Sequence, residues 1–89
     1  MKISDVRVKI VNLKNRKMKA WASVIFDDEF VIHNLKIIDG SRGLFVAMPN
    51  RRTRDGEYRD TAHPLSHTMR KNIENAVIDE YKKAIEQQP

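Results

Sequence analysis

The sequence predicts an α+β domain: an antiparallel sheet of four to five strands, then one long C-terminal helix packed on it. Three observations carry this reading. Residues 3–11 and 18–26 alternate apolar and polar side chains with a period of two, residues 44–48 are apolar on both faces, and from Ser66 onward the apolar residues recur at helical spacing. At 89 residues the chain is one domain spanning 1–89, with the sheet over about 1–63 and the helix over about 66–86. So short a chain cannot bury a second core.

The first strand runs from Ile3 to Val11, with Val6, Val8 and Ile10 on one side and Asp5, Arg7 and Lys9 on the other. The polar segment Asn12 to Lys17 turns the chain, and alternation resumes through Met18, Ala20, Ala22, Val24 and Phe26, so the two runs form a hairpin. Asp27-Asp28-Glu29 makes the next turn. Phe30 to Ile38, rich in β-branched residues, is a third strand interrupted by His33 and Asn34. After a turn over Asp39 to Gly43, whose two glycines accept positive φ, the run Leu44 to Met48 is a strand covered on both sides. The helix covers one of them, and a second subunit or a loop the other. Pro49 ends regular pairing. Asn50 to Glu57 is a loop closed by Asp55-Gly56, and Tyr58 to Ala62 returns as a short strand that stops at Pro64. Ser66 then caps a helix whose inward stripe is Met69, Ile73, Ala76, Val77, Tyr81, Ala84 and Ile85.

Composition narrows the function. There is no cysteine, which excludes disulfides, a thiol nucleophile and thiolate metal sites and fits a reducing cytoplasm. The N-terminus MKISDVRVKI breaks the apolar core that a signal peptide needs, and no stretch approaches the ~20 apolar residues of a membrane span. The chain is read as cytoplasmic. Its net charge of +5 is uneven: residues 1–65 hold 13 bases against 8 acids, whereas residues 66–89 hold 4 of each. A localised basic surplus is the footprint of a polyanion binder, although solvated lysines explain most single charges.

The densest cluster is AMPNRRTRDGEYRD, residues 47–60, with Arg51, Arg52, Arg54 and Arg59 around an Asp-Gly turn. Guanidinium forks match phosphate bidentately, and Tyr58 stands where an aromatic ring can stack on an unpaired base. The competing reading is a solvated loop with a core-facing Tyr58. Lys14, Arg16 and Lys17, with Lys9 and Lys19, crowd the first hairpin tip and would extend the basic surface if tip and loop share a side of the sheet. By themselves they protect an edge strand. Trp21 is read as a core or interface anchor.

Catalysis finds no support. His63 and His67 are separated by Pro64, which denies them a common helix, and no third metal ligand or nucleophile accompanies them. The three glycines sit at turns, so no phosphate-cradling loop is present, and no cofactor is implied. The helix carries balanced charges on its polar face, which suits a core cover better than a membrane-surface element.

MKISDVRVKIVN, FDDEFVIHNLKIIDG, GLFVAMPNRR and DGEYRDTAHP closely resemble the stage V sporulation protein G (septation protein) family of bacterial regulators, from Met1 to about Tyr81. The resemblance implies a cytoplasmic, non-enzymatic protein, dimeric through its β portion, that binds DNA and RNA and influences sporulation, cell division and gene expression. By position it places nucleic-acid contacts at Arg51 and Arg52, and then Arg54. Arg54 stands where the family usually has Pro, and Thr61 where Ile is usual; the first change adds charge and removes rigidity. The expected partners are therefore DNA, RNA and a second copy of the chain, with no membrane and no small-molecule substrate. The alternative is a protein-interaction adaptor whose arginines meet an acidic protein surface.

Overall fold

The computed structural model describes residues 1–11 and 17–87. Strands β1 (Ile3–Ile10), β2 (Met18–Phe26), β3 (Phe30–Gly40) and β4 (Gly43–Ala47) form one antiparallel sheet in chain order. β5 (Asn50–Arg52) and β6 (Tyr58–Asp60) make a separate two-stranded ribbon, and α1 (His67–Glu86) closes the chain. The expected α+β architecture is present, with four strands in the sheet. The anticipated fifth strand pairs outside it.

Alternation decides which face is buried. Ala20, Ala22, Val24 and Phe26 of β2, Leu35 and Ile37 of β3 and Val46 of β4 all point to one side, where Ile73, Val77 and Tyr81 of α1 close over them. Each large side chain buried there contributes about 1.5–3 kcal/mol. The helix lies chiefly across β1, whose Val6, Val8 and Ile10 are half-buried against the core, and touches β4 and β2. Ser66 starts it as expected, its hydroxyl accepting the Met69 N–H at 3.1 Å. Of the inward stripe, Ile85 is an exception. It lies in the last turn, is 42% exposed and is not among the residues packed against the core. Tyr81 is buried, and burial followed by the nearby Asp39 carboxylate raises its pKa.

The turns are fixed by backbone geometry. Asp27 and Asp28 both adopt left-handed conformations (φ 52° and 55°), and the Glu29 N–H donates to the Phe26 carbonyl at 2.9 Å. β1 clamps this turn: Asp27 N–H donates to the Lys2 carbonyl at 2.8 Å, and Asp28 N–H to Ser4 Oγ at 3.0 Å. The interruption foreseen at His33 and Asn34 is a β-bulge, because Ala22 pairs with Leu35 and Val24 with Ile32, leaving two residues opposite Ser23. Asn34 absorbs it with φ 67°, a region that asparagine tolerates better than most residues. At the β3–β4 turn only Gly43 has positive φ (113°); Gly40 is required for another reason, since a Cβ there would lie 2.9 Å from the Phe45 ring.

The opposite face of the sheet has no cover among the described residues. Phe45 is 45% exposed and Trp21 39%, so of the two covers expected for residues 44–48 the chain supplies the helix, and no loop among the described residues supplies the other. Trp21 is not a core residue. Its neighbours Ala20 and Ala22 face inward, and the period of two turns the indole outward.

Phe26→Ala should lower stability by about 3–5 kcal/mol, read as a shifted urea midpoint, because a ring beneath the helix leaves a cavity that the sheet cannot close.

Candidate nucleic-acid interface

The arginine segment is more ordered than a loop. β4 ends at Ala47, and buried Pro49 has no N–H to extend the ladder. The Pro49 carbonyl accepts twice from Thr61, from N–H at 2.7 Å and from Oγ1 at 3.1 Å, while Asn50 Nδ2 donates to the Met48 carbonyl at 3.0 Å. These bonds brace the base of a hairpin in which Asn50 pairs with Asp60, Arg51 with Arg59 and Arg52 with Tyr58. Thr61 thus contributes a side-chain bond that an isoleucine at this position could not make.

At the tip, Thr53 N–H and Oγ1 both donate to the Glu57 carbonyl, at 2.7 and 3.1 Å, and Gly56 N–H donates to the Thr53 carbonyl at 3.0 Å. Gly56 holds φ 83°, so Arg54, Asp55 and Gly56 form a tight three-residue turn. The expected loop over Asn50–Glu57 is therefore a short strand plus this turn. Its ladder arises from pairing with residues 58–60, and neither half shows the apolar alternation by which a strand is read from sequence.

Period-two geometry sorts the side chains. Arg51 and Arg59 share one face, and Arg52 and Tyr58 the other. Arg52 packs back over the turn: a Cβ on Gly56 would meet its Nη2 at 3.5 Å. Arg51, Arg52, Arg54 and Arg59 are all exposed, and Tyr58 is 71% exposed, so it does not face the core. Asp55, Glu57 and Asp60 lie in the same ribbon, yet the only ion pair among the described residues is Arg7–Asp5 at 3.3 Å. None of the four guanidinium groups forms an ion pair among the described residues.

The first hairpin is placed elsewhere. Lys17 is exposed, and its carbonyl accepts the Asp39 N–H at 2.8 Å, which fixes it at the end of the sheet that carries the β3–β4 turn. β4 runs away from that end before the ribbon begins. Lys17 and the arginines thus leave the sheet at different ends. Lys14 and Arg16 lie outside the described residues. His63 sits in the segment before α1, its Nδ1 3.1 Å from the Pro64 carbonyl oxygen, and His67 is the first helical residue.

The open sheet face was not singled out from the sequence. Its central rows read Arg7, Ser23, His33 and then Lys9, Trp21, Lys36, Ala47 across neighbouring strands. Lys36 Nζ lies 5.4 Å from the Trp21 ring centroid, a cation–π arrangement, and Ser23 Oγ is 2.8 Å from His33 Nδ1.

A protein-family model described as SpoVG matches residues 1–83. A protein of Agathobacter rectalis named "Putative septation protein SpoVG" is 51% identical over 86 residues, covering 97% of this chain and 98% of its own. Proteins of the same name from Finegoldia magna (53% over 88 residues, 99% and 81% covered) and Heliobacterium modesticaldum (55% over 85 residues, 96% and 94% covered) are similarly close. No helix among the described residues is long and apolar enough to cross a membrane.

Gly56→Ala places an L side chain in a left-handed conformation at the ribbon tip, a strain of about 1–2 kcal/mol. Amide exchange at Thr53 and Gly56 should accelerate about five- to thirtyfold, with the core amides of β2 and β3 unchanged.

Proposed function

The chain belongs to the SpoVG family, and from that premise we propose that it is a small cytoplasmic, non-enzymatic bacterial regulator that binds DNA and RNA through the arginine ribbon. In this reading it acts on septation and sporulation by way of gene expression. The observation that carries the proposal is the set of four exposed guanidinium groups on a braced hairpin, none of them in an ion pair among the described residues. Asp55, Glu57 and Asp60 stand among them, yet none of the three carboxylates forms an ion pair with an arginine among the described residues.

Phosphate contacts position a protein and carry no sequence information, so this ribbon gives affinity and little base selectivity. Site preference then comes from nucleic-acid shape or a few base contacts. The relatives' name speaks only of septation. The path from nucleic-acid binding to that process is part of the proposal.

If each ribbon arginine neutralises one phosphate, log K for duplex DNA should fall against log salt with a slope of about −3.6 per protomer, and Arg51, Arg52, Arg54→Ala should reduce it to about −0.9. Binding by the parent that is indifferent to salt would refute the phosphate assignment. No binding at any salt would favour an acidic protein partner instead.

Self-association is a further part of the proposal. Met1, Phe30 and Leu65 are 73%, 57% and 98% exposed, and an apolar crevice lined by Phe26, Ile32, Met48, Pro64 and Met69 opens beside Met1. Exposed apolar groups of this size beside an unfilled crevice suit a second copy. Light scattering at micromolar concentration should return a dimer for the parent and a monomer for Leu65→Asp.

A further inference from the structure

We propose that the open face of the four-stranded sheet is a second nucleic-acid contact surface, selective for single strands, on which an unpaired base stacks on Trp21. The inference rests on the nucleic-acid reading of the ribbon and adds to it a site, a ligand form and a basis for discrimination.

The argument starts from what the face exposes. Core packing turns the inner face toward α1, and the same alternation forces Trp21 and Phe45 outward, 39% and 45% exposed. Outward aromatics on an antiparallel sheet are costly to leave in water. They are also the elements on which unpaired bases stack, in a manner that tolerates any sequence.

The surrounding charge selects the occupant. Trp21 lies between Lys9 on β1 and Lys36 on β3, with Arg7 one row away. The one acid in these outward rows of β1, Asp5, already accepts from Arg7 Nε at 3.3 Å. Lys36 Nζ, 5.4 Å from the indole centroid, is held where it can meet the phosphate attached to a stacked base. Beside it lies a shallow depression lined by Arg7, Lys9, Trp21, Ser23, His33 and Asn34, with donors and acceptors suited to base edges and phosphate.

A second copy is a poorer fit to these rows. Lysines are depleted from the cores of protein interfaces, and a two-fold contact here would set Arg7, Lys9 and Lys36 against their own images. A sugar-phosphate strand neutralises them instead. Duplex DNA cannot use the aromatics, because its bases are already stacked and paired.

Trp21 is the only tryptophan in the chain, so its fluorescence reports on this face alone. Oligothymidylate should quench it in a saturable way, and a duplex of the same length, bound through the ribbon, should leave it nearly unchanged. By anisotropy, Trp21→Ala should weaken oligothymidylate about tenfold and leave duplex binding intact, while Trp21→Phe keeps most of the affinity. Thermal melts alongside check that each variant folds. The inference falls if oligothymidylate binds without quenching, if the duplex quenches equally, or if Trp21→Ala turns a dimer into a monomer, which would assign the face to a second copy. Loss of both ligands in Arg51, Arg52, Arg54→Ala with no effect of Trp21→Ala would overturn this site and leave the ribbon standing. A parent protein that binds neither ligand would overturn both.

Discussion

Everything in this molecule follows from a sheet that can bury only one of its faces. Among the described residues there is a single helix, and α1 covers the side carrying Val24, Phe26, Leu35 and Ile37 through Ile73, Val77 and Tyr81. Once that layer is closed, no further helix among the described residues covers the other face, which exposes Trp21 and Phe45, or the ribbon beyond β4. Those parts must either stand in water or meet something else. A two-stranded ribbon is marginal when it lacks a core, and this one is secured by Pro49 buried at its base, the paired bonds from Thr61 and a three-bond turn at its tip. Rigidity without burial is what allows arginines to be displayed rather than packed.

The same constraint divides the charge. Among the described residues no charged side chain is buried, and the one ionisable group in the core is the Tyr81 phenol. Arg51 faces Arg59 across the ribbon, a like-charge pair that weakens the hairpin by itself. An arrangement in which side chains repel one another and find no carboxylate partner is better suited to an added anion than to the free protein.

The sequence made the sheet and helix legible because their signals are strong and of one kind. Strict alternation along β2 and the helical spacing of Ile73, Val77 and Tyr81 each name a buried face. Alternation also held the information that Trp21 points outward, since Ala20 and Ala22 do not. Its large apolar area suggested an anchor in a core or interface, and the backbone period removes the core alternative. The ribbon was harder to read. Asn50, Arg51 and Arg52 lack every strand propensity, and their pairing with Tyr58, Arg59 and Asp60 depends on the Gly56 turn and on Thr61 reaching Pro49. Residue type sufficed to nominate the four arginines. Their division between two ribbon faces, and the separation of Lys17 from them, are products of topology that no local pattern encodes.

The bulge at His33 and Asn34 acts as a change of parity in β3. Ile32 and Leu35 both turn inward only because one additional residue lies between them, and every position from Lys36 to Gly40, with β4 paired to it, inherits the corrected parity. Straightening the bulge with all of its residues kept would therefore do more than regularise a strand. It would exchange interior for exterior across half the sheet, carrying Lys36 beneath the helix and Leu35 into water. One residue with a left-handed backbone thus keeps the two sides of this protein distinct.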